Sequence, residues 1–454
     1  MKNGKKFTPL IWINGVTAIL VQLYVFLLPW QTVWIYRTVT SGNYKLEYLS
    51  FGLYATEILL AVSALFAIGA RFMGMRGTKT KFFWSADKIL TLALFSGCAY
   101  VYASSLWAHD VSASMYIGRL CADAAVFFVL LIYGIVRLDR LALCFVGGAF
   151  VAALLGIGQF ATQTVIASKW LGIATQSASG TSSVVDAGIH LGRWLRAYGP
   201  FVHPNIFGGY LSAAVFVLII GDLRGWFKRK YSIGALPVLA TALVFSFSRS
   251  AWLGIFLASI LFLVEIVKTK KSFVALAIFW VAFTAVFFSV APLSLVRVNG
   301  GTVGESGSVS ERQTALRESR EIIQENLWRG VGAHNYIGAL IEKWPGRQPW
   351  NYIPVHNSIM LMFAELGVWG FAFLAFVVAA YSHLYSLIRS TLDRTVLWGG
   401  VFLLIPPLFL DYYLTSTYAG LSIVAVVMAV LMLDRVSTVN LPASTVHPQP
   451  EKTA

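Results

Sequence analysis

Four short strings in this 454-residue chain gather arginine, histidine and asparagine in a way that suits chemistry. Arg196-Ala-Tyr-Gly-Pro-Phe-Val-His203-Pro-Asn205 leads into one apolar run, and Ser246-Phe-Ser-Arg249-Ser-Ala-Trp-Leu-Gly254 joins two others. Arg312 lies in a polar segment followed by Gly330-Val-Gly332-Ala-His334-Asn335. His356-Asn357 opens a further apolar run that contains Glu365-Leu-Gly367. Guanidinium groups grip phosphate oxygens in bidentate fashion, so Arg196, Arg249 and Arg312 facing one pocket would bind a pyrophosphate. An imidazole with an ordinary pKa of about 6.5 can take a proton from a sugar hydroxyl near neutral pH, which makes His356 the candidate general base. His203, Asn205, Asn357 and Glu365 complete the set as candidate substrate-binding residues. No metal-ligand cluster and no cofactor motif is visible, so the cations of such a site would be guanidinium groups. Plainer readings stay open: Arg249 could pair with Asp186 or Glu305, and His203 could hydrogen-bond within the turn at Pro204. His334 stands outside the first rank.

The elements that must bring these strings together are apolar. The chain is 57% hydrophobic and 12% charged, with a mean hydropathy of +0.71, whereas a soluble domain carries about 25% charged residues. Crossing a hydrocarbon core of about 30 Å takes roughly 20 apolar residues. Such runs fall at 11–35, 51–70, 89–108, 113–136, 141–165, 205–222, 232–248, 250–267, 273–292, 356–387, 395–411 and 417–433, predicting an all-α membrane protein of about twelve transmembrane helices. Cys98, Cys121 and Cys144 all fall within them, which speaks for packing rather than a disulfide framework. The apolar stretch after the basic segment 1–6 is long enough to span, so no cleavable signal peptide is expected.

The net charge of +15 does not point to nucleic acid, because of where it sits. With the N-terminus inside, 20 of the 35 basic residues fall in short connections and tails on one side. They are Lys2, Lys5 and Lys6; Arg71, Arg76, Lys79, Lys81 and Lys88; Arg137 and Arg140; Arg224, Lys228, Arg229 and Lys230; Lys268, Lys270 and Lys271; Arg389, Arg394 and Arg435. This is the positive-inside bias, and it puts both termini in the cytoplasm and all four strings at the outer boundary. The division is then 1–292 for spans one to nine (with an outer loop at 167–204), 293–355 for a helical outer loop, and 356–433 for spans ten to twelve. A polar, proline-bearing tail at 434–454 is expected to be disordered. Ten of the thirteen outer basic residues are Arg, against nine of twenty inside, a bias that topology alone does not require.

The second outer loop holds one well-marked helix. Ser310 and Gln313 form a capping box, and the helix is expected to run to about Asn326. Ala315, Leu316, Ile322, Ile323 and Leu327 mark its buried face, and Arg312 points inward with them. Arg317 and Arg320 lie on a solvated face with Glu318 and Glu321. Within the fourth span, Arg119 and Asp123 at i,i+4 suggest an internal ion pair. No phosphate-loop or dinucleotide-binding signature is present.

In the order found here, Arg196-x-x-Gly-x-x-x-His203-Pro-Asn205, Ser248-Arg249-x-x-Trp252-x-Gly254, Gly330-x-Gly332 and His356-Asn357 with Glu365-Leu-Gly367 resemble the O-antigen ligase and polymerase superfamily, Wzy_C. The resemblance implies a GT-C-type transmembrane fold with a large periplasmic loop between spans nine and ten, in the bacterial inner membrane. It implies a metal-independent, inverting glycosyl transfer from an undecaprenyl-pyrophosphate-linked glycan to a lipid A-core acceptor. Carried over, Arg196 and Arg249 would hold the pyrophosphate, Arg312 would support them or orient the acceptor, and His356 would activate the acceptor hydroxyl. A polymerase and a protein O-oligosaccharyltransferase share the same strings. From another class, a transporter or flippase would call for ionisable residues near the bilayer midplane, and only Glu57, Asp123 and Glu365 qualify.

Overall fold

In the computed structural model the described residues are 9–41, 44–72, 86–132, 136–180, 182–188, 192–269, 273–299, 303–386 and 391–439. The chain runs through α1 (Pro9–Leu27), a hairpin of β1 (Val33–Ser41) and β2 (Tyr44–Tyr54), α2 (Ala55–Phe72), α3 (Ala86–Ala103), α4 (Val111–Ile132) and α5 (Leu138–Thr162). A loop with four short strands follows, β3 (Thr164–Val165), β4 (Gln176–Ser177), β5 (Val184–Asp186) and β6 (Arg193–Leu195). Then come α6 (Pro204–Arg224), α7 (Arg229–Phe245), α8 (Arg249–Thr269), α9 (Val274–Ser289) and α10 (Ala291–Asn299). The second loop contains α11 (Val303–Glu325) and α12 (Tyr336–Lys343), and α13 (Ser358–Ser386), α14 (Thr391–Leu410), α15 (Tyr413–Ser416) and α16 (Tyr418–Val439) close the chain.

The architecture is mainly helical, and each of the twelve apolar runs carries a helix. Among the described residues, six helices are long and apolar enough to cross a membrane, and a seventh span results if α9 and α10, bent by 94°, count as one. Shorter apolar helices occur at Trp12–Leu27, Ala55–Ala70, Thr91–Leu106 and Tyr418–Leu431. Lys2, Lys5, Lys6, Arg76, Lys79, Lys81, Lys270, Lys271 and Arg389, which carry part of the sidedness reading, lie outside the described residues, as does the tail from 440 onward.

The bundle is built around α6. It is apolar on all sides, and 89% of its hydrophobic window is buried, as expected of a helix enclosed by others rather than by lipid. Pro204 stands at its first turn behind the cap residue His203, and Gly225 ends it in the left-handed region. Small residues let backbones approach: a methyl group at Gly254 of α8 would meet the Leu403 carbonyl of α14, and one at Gly148 of α5 would meet that of Phe26 in α1.

Three details depart from the sequence reading. The first apolar run stops being helical at Leu27, and 33–54 forms an antiparallel hairpin. Val33, Ile35, Val39 and the aromatic residues between them favour strand, and a hydropathy sum cannot separate apolar strand from apolar helix. The helix of the second loop begins at Val303, seven residues before Ser310, so Ser310 lies inside it; Gly304 and Gly307 hide that extension from any propensity argument. Ala315 and Ile322 are buried as expected, while Leu327 is exposed. Finally, Arg119 pairs across helices with Glu57 at 2.9 Å rather than with Asp123 along its own helix.

Connections at one end of the bundle are cross-linked by polar contacts. Arg37 of the hairpin pairs with Asp110 at 2.7 Å, and Asn335 accepts from the Asp110 amide at 2.7 Å. Leu46 and Leu49 of β2 pack with Ala315 and Ile322 of α11, Ile337 and Leu340 of α12, and Leu361 of α13 in a separate small core. The hairpin is therefore the floor on which the second loop rests. At the opposite end, Arg224 pairs with Asp393.

Candidate active site

The start of α6, the turn between α7 and α8, and the start of α13 are joined by one buried polar line. Arg196 follows β6 and is only 3% exposed. Its Nε donates to the Ser246 carbonyl at 2.8 Å, and its terminal nitrogen donates to Asn205 Oδ1 at 2.5 Å. Asn205 Nδ2 in turn donates to Asp411 Oδ2 at 2.6 Å. The Asp411 backbone carbonyl accepts from the amide and the hydroxyl of Ser358, at 2.9 and 3.0 Å. Residues as far apart in the chain as Asn205 and Asp411 are thus held by hydrogen bonds that tolerate little rearrangement, because each unpaired member would remain out of water.

Arg249 opens α8 just after Phe247, which adopts a positive φ of 47°. The Arg249 guanidinium donates to the carbonyl of Arg297 at 3.2 Å, and the buried Arg297 donates from Nε to the carbonyl of Phe247 at 3.2 Å. The two arginines therefore brace the α7–α8 turn against α10. Asp186, one of the two carboxylates considered for Arg249, accepts from Gly188 in its own loop; the side chain of the other, Glu305, lies outside those described.

Burial lowers the pKa of both histidines of this region. His203 Nδ1 accepts from the Asn205 amide at 3.1 Å, and its Nε2 meets the Ser183 hydroxyl at 3.0 Å. With Nδ1 an acceptor, Nε2 carries the hydrogen and donates. Burial, then the positive charges of Arg196, His356, Arg297 and Arg312, hold His203 well below its usual pKa. His203 is thereby a capping residue, the plainer of its two readings. His356 is also lowered, first by burial; Asp411 opposes the shift, Arg312 adds to it and Glu311 opposes it. Its Nδ1 is buried and has no hydrogen bond among the described residues, and the Tyr412 ring meets it edge-on at 5.4 Å. An imidazole with an uncommitted ring nitrogen and the Arg312 guanidinium near it can accept a proton beside a site for anions.

The remaining candidates separate from this cluster. Asn357 caps α13, accepting the Met360 amide at 2.9 Å. Glu365 is buried elsewhere, accepting from the Tyr48 hydroxyl at 2.9 Å and from the Tyr336 amide at 3.4 Å. Its backbone carbonyl receives the Gly332 amide at 2.9 Å, so Glu365 anchors the 327–335 turn. His334 is buried with φ 61°, stacks on Tyr48 at 3.9 Å and bonds the Tyr48 carbonyl through Nε2 at 2.7 Å. Among the described residues no group of three His, Cys, Asp or Glu side chains is assembled to hold a metal ion.

Asp411, Arg297 and Tyr412 were not singled out from sequence. Asp411 gave one usable signal, a carboxylate at the very edge of an apolar run, where an unpaired charge is costly. Replacing it by alanine would strand the Asn205 amide while leaving the backbone carbonyl that Ser358 bonds. The expected result is a loss of about 1–3 kcal/mol, read as a lower unfolding midpoint in detergent, with Asp411→Asn intermediate.

Residues 234–377 match a family model, Wzy_C, described as O-antigen ligase. The matched segment runs from α7 into α13 and contains Arg249, Arg297, Arg312, His356 and Glu365, while Arg196, His203, Asn205 and Asp411 lie outside it. No curated protein matches the chain.

Proposed function

We propose, from the premise that this chain carries a Wzy_C domain and stands in the O-antigen ligase superfamily, that it transfers a glycan from undecaprenyl pyrophosphate to a lipid A-core sugar. In this reading the chain crosses the bacterial inner membrane twelve times in a GT-C-type arrangement. Both termini are cytoplasmic, and the site faces the periplasm among membrane lipids. The observation that carries the proposal is a buried, partly uncommitted His356 that lies near Arg312, beside a His203 that feels Arg196, Arg297 and Arg312 as well as His356.

The reaction follows from those positions. The acceptor hydroxyl attacks the anomeric carbon while His356 takes its proton. The bond from that carbon to the pyrophosphate oxygen breaks, and the configuration inverts. Charge growing on the departing undecaprenyl pyrophosphate is stabilised by the guanidinium groups, which need no reorganisation because backbone carbonyls already fix two of them. Arg196 is enclosed by Ser246 and Asn205, which supports a positioning role for it. Metal independence belongs to the same proposal.

The test uses purified protein in nanodiscs with undecaprenyl-pyrophosphate glycan, a lipid A-core acceptor, and EDTA present or absent. Transfer that survives EDTA and falls at least tenfold in Arg249→Lys is the expected result, since lysine cannot reproduce the planar bidentate grip. A glycan that lengthens on its carrier while the acceptor stays bare would replace the ligase by a polymerase.

A further inference from the structure

A cleft of about 760 Å³, lined by residues of the second loop and of the α3–α4 connection and not by His356, falls within the roughly 300–1,000 Å³ of small-ligand sites. Ile322, Val331 and Ala339 contribute apolar lining, and Trp107 and Trp328 contribute rings. Trp328 is 66% exposed. Trp107 is fixed, its Nε1 donating to the Arg329 carbonyl at 3.1 Å. Around the rings stand two cations, Arg329 and Lys343, and two carboxylates, Glu325 and Glu342. Lys343 is tied to Glu325 at 2.5 Å.

This chemistry is selective. Indole faces take the apolar faces of sugar rings, and charged groups of both signs hydrogen-bond hydroxyls as donors and acceptors. The balance of two positive and two negative groups disfavours a phosphate, and the polar lining disfavours an acyl chain. An interfacial tryptophan belt explains exposed rings but not a concave site with carboxylates beside them. Arg312 and Glu325 are thirteen positions apart on α11, about 20 Å at the helical rise. A ligand here is thus remote from the reacting bond.

We infer that this cleft is a second saccharide-binding site, holding a stretch of glycan that extends away from the site of transfer. The glycan belongs to the donor or to the acceptor; the chemistry of recognition is the same. The inference rests on the proposed transfer only for the origin of the saccharide.

Saturation-transfer NMR on the full chain in nanodiscs tests it, with three soluble probes: glycan released from its carrier, deacylated core oligosaccharide, and glycerol 3-phosphate. One of the two saccharides is expected to bind, at least tenfold more weakly in Trp328→Ala and several-fold more weakly in Glu342→Gln. His356→Ala is expected to bind it as wild type does. The saccharide that binds identifies the source. Glu342→Gln alters one exposed side chain and carries the test if Trp328→Ala fails to fold. Binding unchanged in both cleft variants, binding of neither saccharide, or binding of glycerol 3-phosphate alone would overturn the inference. Saccharide binding without transfer in wild type would uphold this site and remove the transfer reading.

Discussion

Alanine at position 356 is expected to lower glycan transfer about 10²–10⁴-fold, the usual contribution of a general base, with the unfolding midpoint little changed. His356→Gln should be equally inactive, because an amide keeps much of the shape and cannot take the proton. The pH profile gives a finer check. Burial and Arg312 lower the His356 pKa below its ordinary 6.5, so the base form persists into mildly acidic solution. The acid limb of kcat/KM should therefore fall below pH 6.5, not at it. Arg312→Ala removes a positive neighbour and should move that limb to higher pH, whereas Asp411→Asn removes a negative one and should move it lower. Stability follows the same sign. A histidine lowered in the fold contributes stability that is present above about pH 6.5 and lost as pH falls. His203 and His334 add to this, with His334 held down to about 4 by burial. Unfolding midpoints measured from pH 7 to pH 4 should decline accordingly.

The second large effect concerns a glycine. Gly367 sits inside α13 at φ 65° and ψ −159°, a region essentially closed to other residues, and strain there is on the order of 1–3 kcal/mol. A methyl group at that position would also lie 2.5 Å from the carbonyl carbon of Trp328. The break is stitched by three backbone hydrogen bonds of 2.9 Å: Val331 to Ala364, Gly332 to Glu365, and Val368 to Leu327. Gly330, at φ 66°, faces the Glu365 carbonyl from the other side. Gly367→Ala and Gly330→Ala are each expected to leave little folded protein, read as yield of a monodisperse detergent-solubilised peak. Gly338→Ala, in open space on α12, should fold normally. That contrast would show that strain and close approach, not glycine content, set the requirement.

Much of the helical framework was legible in the residues. Apolar runs of spanning length are local signals, written into consecutive positions by burial and by backbone geometry. Four arginine- and histidine-bearing strings were legible for the same reason, and the last three lie within the Wzy_C match over 234–377. What their members do was not. Asn205 and Arg196 were read as ligand contacts; they are also links in a line ending on Asp411, whose place at the edge of an apolar run does not say which residue it meets. Glu365 looked like part of the His356 motif and instead holds a turn from the preceding loop. Both ends of the hairpin, 33–35 and 51–54, were read as parts of the first two spans, since apolar strand and apolar helix have the same hydropathy. Sequence by itself determined which segments are helical and apolar and which side chains could carry charge near their ends. Tertiary structure alone decided which of those charges meet. Hydrogen bonds between chain-distant groups depend on distances of a few ångströms, and no local pattern encodes them.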